Sequence, residues 1–171
     1  MHPRAAPPAA TSPPPFATPS PPAATIQPVS AADLGPSWRP GCPVDPRQLR
    51  CVDVTYLGFD AQPHRGALIV NEDLAAEVVA IFDQLLQLRY PIEIRTVDTY
   101  PGAEDELSME DNNTSAFNCR DIPGTGRWSQ HASGRAIDLN PLLNPEIDRT
   151  GAIQPKNAAP YLDRNRTDPG L

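Results

Sequence analysis

Residues 51–86 read CVDVTYLGFDAQPHRGALIVNEDLAAEVVAIFDQLL, and a period of two gives way inside them to a period of 3.6. CVDVTYLG (51–58) alternates and is rich in β-branched side chains, which predicts a strand. Phe59 to Arg65 reads as a turn, and Ala67 to Val70 as a second strand, so the pair forms a hairpin. Asn71 is placed to cap a helix, with Glu72 and Asp73 complementing the positive end of its dipole. Leu74, Val78, Val79, Ile81, Phe82, Leu85 and Leu86 then share one helical face. Tyr90-Pro91 ends the helix, because a residue before proline avoids helical angles. Pro91 to Val97 (PIEIRTV) alternates again as a third strand, with Ile92 and Ile94 on one face.

Downstream the periodic signal fades. Residues 99–128 are polar, with Ser115 to Cys119 (SAFNC) as a short strand candidate. A long irregular connection in a compact domain often carries function. The run Glu104, Asp105, Glu106, Glu110, Asp111 contains no base and reads as a solvated acidic loop, a cation site being the minor alternative. Arg135 to Leu139 (RAIDL) reads as the last strand, and beyond Pro141 the chain is expected to be irregular.

Upstream, residues 1–37 are Pro, Ala, Ser and Thr-rich, and 12 of the 23 prolines fall within residues 1–40. Such a segment buries too little apolar surface to offset its ordering entropy. It is expected to be a disordered, polyproline-like spacer. The folded part is expected to begin near Trp38, giving one domain over 38–171. That length suffices for one modest core.

Composition excludes some functions. No apolar run approaches the ~18–20 residues of a spanning helix. The net charge is −7, and no basic patch of the kind that binds nucleic acid is visible. Residues 2–30 lack the apolar core of a signal peptide. The three cysteines, Cys42, Cys51 and Cys119, have no C-x-x-C spacing. Cys51 sits in a strand-like alternation and reads as a buried structural thiol. Cys42 and Cys119 lie in loop-like contexts and are the better candidate pair if the compartment is oxidising.

The densest chemical signal is WSQHASGRAID, residues 128–138. Gly134 lets the chain reverse sharply after His131. Alternation puts Ala136 and Asp138 on one face, and Arg135, Ile137 and Leu139 on the other. One imidazole and one carboxylate suit zinc, which catalytic sites hold with three protein ligands and a water. On spacing alone, a histidine and an aspartate making local hydrogen bonds is the plainer reading.

The surrounding residues shift that balance. Ser129, His131, Gly134, Ala136 and Asp138 form S-x-H-x-x-G-x-A-x-D, which resembles the zinc motif of the M15 metallopeptidases. These are D-alanyl-D-alanine carboxypeptidases and related peptidoglycan peptidases. Gly41-Cys42-Pro43-Val44, Gly58-Phe59-Asp60, His64-x-Gly66 and Asn113-Thr114-Ser115-x-Phe117-Asn118-Cys119-Arg120 are similar to segments of a secreted actinobacterial branch. Together these segments span about residues 38–145.

The resemblance implies an α+β fold of the hedgehog/DD-peptidase type, with a small antiparallel sheet and one main helix. It implies Zn2+ held by His131 and Asp138, a peptidoglycan stem peptide as substrate, and a cell-wall, extracytoplasmic location. The protein is expected to act as a monomer. Arg120 is the candidate for an arginine that in the family stabilises the oxyanion or grips the substrate carboxylate, an ordinary salt bridge being the alternative. Ser129 is a candidate substrate-binding residue, His64 falls at a position that is substrate-facing or structural rather than a ligand, and Cys42 and Cys119 fall at positions where the branch also carries cysteines. The family's third ligand is a later histidine with a glutamate general base near it. The histidines here are His2, His64 and His131, so neither is found after residue 138, and Glu146 has no warrant as the base. The chain is therefore expected to be truncated at its C-terminus and impaired as a hydrolase. The alternative is a non-catalytic wall-peptide-binding module or relic.

Overall fold

The computed structural model describes residues 22–95 and 100–171. Most of the expected spacer, with His2, lies outside the described residues, as does the end of the expected third strand at Thr96 and Val97.

A short strand β1 (Thr25–Pro28) and a single helical turn α1 (Ala31–Leu34) precede the hairpin of β2 (Leu49–Leu57) and β3 (Pro63–Asn71). The sheet order is β1-β2-β3, all antiparallel, with β2 and β3 in register from Leu49↔Asn71 to Leu57↔Pro63. Alternation assigns the faces. Val52, Val54 and Tyr56 of β2 and Leu68 and Val70 of β3 pack against Ala75, Val78 and Phe82 of helix α2 (Ala75–Gln87). Ile92, Ile94 and Ala116 complete that core, with Ile137 and Leu139 against it. Leu49 and Ile69 face the other way, into a second cluster with Leu34, Val44, Phe117 and Cys119. The architecture is thus mixed, with small antiparallel sheets and one main helix.

The fold begins earlier than Trp38. β1 pairs with β2 from Thr25↔Asp53 to Pro28↔Arg50. Ser30 caps α1 in a reciprocal box with Asp33, and Leu34 is buried. Composition obscured this, because Pro28 belongs to an edge strand, where a proline is tolerated.

The helix also starts differently. Glu72–Leu74 is a 3-10 turn, and α2 runs from Ala75. Asn71 makes no side-chain cap there. Its Nδ2 donates to the Ser133 carbonyl at 3.0 Å, and its N–H to that of Gly134 at 2.9 Å. Tertiary packing of the 131–134 turn has taken over a side chain that local sequence assigned to a cap.

The expected third strand is extended but makes no ladder over its described part. Pro91 bridges Leu57, and Ile92 and Ile94 are buried as the alternation requires. Side-chain amides replace strand partners: Glu93 N–H donates to Asn140 Oδ1 and Arg95 N–H to Asn113 Oδ1. The 115–119 and 135–139 candidates likewise reduce to one antiparallel bridge, Ser115↔Asp138, with N–H···O distances of 3.1 and 2.9 Å. The regions read as irregular hold short elements: helix α3 (Asp105–Glu110), a hairpin of β4 (Asp121–Ile122) and β5 (Arg127–Trp128), and a second hairpin of β6 (Glu146–Ile147) and β7 (Ile153–Gln154). A 3-10 segment follows at Lys156–Leu162.

Cys42 and Cys119 form a disulfide with a Cα–Cα distance of 5.9 Å. Cys51 is free and half-buried rather than fully buried, and burial, then Asp53 and Asp33, raise its thiol pKa. Among the described residues no helix is long and apolar enough to cross a membrane.

Candidate active site

His131 sits in a 3-10 turn, Gln130–Ser133, between two residues that shape it. Ser129 Oγ accepts the His131 N–H at 3.3 Å, so this hydroxyl caps the turn. Gly134 closes the turn at φ +69°, where an added Cβ would lie 2.7 Å from the Asn71 nitrogen. Only glycine allows that approach. The turn is thereby pinned to the end of β3.

The imidazole is oriented from behind. Nδ1 lies 2.6 Å from the Ala116 carbonyl oxygen. A carbonyl only accepts, so Nδ1 carries the proton and Nε2 presents its lone pair when the ring is neutral. Nε2 faces Asp138 Oδ2 at 3.3 Å. Asp138 reaches this place through its bridge with Ser115, while its neighbours Ile137 and Leu139 pack on the core. Burial opposes charging of the ring, but the Asp138 hydrogen bond and charge outweigh it and raise the His131 pKa.

Arg120 is next to this pair. Its Nη2 is 2.9 Å from Asp105 Oδ2, and its charge acts on His131. Its Nε is buried and has no hydrogen-bond partner among the described residues. Asp105 has its pKa raised by burial, against the pull of Arg120, with the Asp138 charge adding to the rise. Asp105 therefore belongs to the site and not to a solvated loop, since its side chain is only 21% exposed. Nothing in the local pattern marks it out from its acidic neighbours.

The structure does not bring His64 to this cluster. His64 pairs with Tyr56 at the turn end of the hairpin, stacks on its ring, and contacts Asp60 at 2.9 Å. The 131–134 turn packs at Asn71, seven residues along β3, or about 23 Å at the rise of an extended strand.

The two donors suit zinc. Zn–N and Zn–O bonds of about 2.0–2.1 Å at tetrahedral angles put neighbouring ligand atoms about 3.3 Å apart, the separation seen between Nε2 and Oδ2. The Ala116 carbonyl on Nδ1 is the outer partner that a metal-binding histidine ordinarily has. Among the described residues, however, no three His, Cys, Asp or Glu side chains form a group able to hold a metal.

Residues 123–168 match the family model of the D-alanyl-D-alanine carboxypeptidases, peptidase family M15. The family is M15. The M15 match contains Ser129, His131 and Asp138, while Asp105, Arg120 and both disulfide cysteines lie before it. It supports a peptidase in general terms. Comparisons with curated proteins and with solved structures found no match.

Proposed function

We propose that the site serves zinc-dependent hydrolysis of peptide bonds in peptidoglycan stem peptides, of the D-Ala-D-Ala carboxypeptidase type. The observation that carries this reading is the facing of His131 Nε2 and Asp138 Oδ2 at 3.3 Å, with Nδ1 held by Ala116, inside the M15-matched segment. When bound, the metal supplies Lewis acidity for a scissile carbonyl and lowers the pKa of a water. The chain's own residues then do the positioning. Ala116 fixes which imidazole nitrogen is offered. Arg120 offers a fixed cation beside His131, suited to a substrate carboxylate or to a developing oxyanion.

Two donors bind zinc weakly, and among the described residues no third His, Cys, Asp or Glu joins them in a group able to hold a metal. Glu146 lies exposed on β6 and does not fill that role. The 171-residue chain is therefore proposed to turn over substrate poorly. The same two-donor count supports a second reading, a module that holds wall peptide without cutting it. An extracytoplasmic location agrees with the Cys42–Cys119 disulfide, since such bonds persist in oxidising compartments.

Elemental analysis of the purified protein, paired with an assay of D-alanine release from a peptide ending in D-Ala-D-Ala, tests the proposal. The expected result is well under one zinc per chain and release close to background. One tightly held zinc with measurable release would overturn the claim of impairment. Failure to bind either zinc or the peptide would overturn the functional reading itself.

A further inference from the structure

The Asp105–Arg120 pair plays no part in the metal-binding account, yet it is built as part of the site. Three observations bear on it. The Arg120 guanidinium contacts Asp105 through Nη2 at 2.9 Å, with side chains only 30% and 21% exposed. Arg120 Nε is buried and unpartnered among the described residues. The backbone on both sides is tied to the His131 turn and to the loop before α3: Asn118 N–H donates to the His131 carbonyl at 3.2 Å, Ser129 N–H to the Arg120 carbonyl at 3.1 Å, and Asn118 Nδ2 to the Ala103 carbonyl at 3.1 Å.

An arginine side chain carries large rotamer freedom, which a substrate must remove if nothing else has done so. A carboxylate on one edge of the guanidinium removes it in advance and leaves the other edge free to donate. Asp105 is suited to this because it opens α3, and Asn118 ties down the Ala103 carbonyl two residues before it. We infer that Asp105 is a positioning residue that holds the Arg120 guanidinium in place beside the His131–Asp138 site, with donors left for an oxygen of a bound peptide. The role as a peptide site rests on the proposed function above; the positioning of Arg120 does not.

The experiment uses the full chain and the variants Asp105→Asn, Asp105→Glu and Arg120→Lys. The Arg120 Nε–H resonance, assigned by its loss in Arg120→Lys, reports the order of the guanidinium directly. It is expected to be dispersed and slowly exchanging in wild type, collapsed in Asp105→Asn, and partly restored in Asp105→Glu. A resonance unchanged in Asp105→Asn would overturn the inference. Titration with a peptide ending in D-Ala-D-Ala is the second readout. Affinity is expected to fall roughly three- to tenfold in Asp105→Asn, the size of the ordering cost of one long side chain. Equal affinity in wild type and Asp105→Asn would overturn the role in binding. Collapse of the resonance with no peptide binding by wild type would uphold the positioning and sink the peptidase reading.

Discussion

Gly134 and His131 show how closely the site depends on single residues. Gly134 is left-handed, and an added Cβ would meet the backbone of Asn71 and Val70. Gly134→Ala therefore combines a left-handed backbone penalty of about 1–2 kcal/mol with an overlap that rigid backbone relieves poorly, about 1–3 kcal/mol. We expect a loss of about 2–5 kcal/mol, measured by urea denaturation. Gly151 is the control, since it has φ +85° with open space around it. Gly151→Ala carries the backbone penalty alone, about 1–2 kcal/mol. Equal losses at the two positions would contradict the close packing of the His131 turn on β3. At this scale His131 and Asp138 were legible in sequence because glycine, alanine and aspartate at fixed offsets make a local pattern. Asp105 was not, because its partner lies 15 residues away and their meeting is a product of tertiary folding.

Among the elements, the hairpin and α2 were legible because their periodicity coincides with burial on one face. The extended segments at 91–95, 115–119 and 135–139 alternate as strands do but are paired only through isolated bridges. Their alternation is real, since Ile92, Ile94, Ile137 and Leu139 all pack on the core. What alternation does not reveal is where backbone hydrogen bonds go, and here Asn113, Asn140 and Thr114 side chains take several of them. β1 and α1 are hidden for the opposite reason, because proline-rich composition covers one short edge strand and one turn. Leu34 tests their docking. It is 3% exposed, so Leu34→Ala should cost about 2–4 kcal/mol by thermal or chemical denaturation. A change under about 0.5 kcal/mol, typical of surface sites, would mean that this segment does not dock.

For the molecule as a whole, the disulfide joins the loop after α1 to the segment that carries Arg120, across a sequence separation of 77. Closing a loop of that length removes denatured-state entropy worth about 4 kcal/mol. Reduction should therefore lower stability by roughly that amount. Thiol titration of the oxidised, denatured protein should find one free thiol, Cys51; finding three would remove the bond from the account. The fold brings His131, Asp138, Arg120 and Asp105 together while leaving His64 at the far end of the hairpin, and that grouping is the central claim. Zinc titration of the chelator-stripped protein, monitored by competition with a metal indicator, tests it most directly. Weak binding is expected in wild type and in His64→Ala, and none in His131→Ala or Asp138→Ala. Zinc binding that survives His131→Ala, or that is lost in His64→Ala, would contradict it.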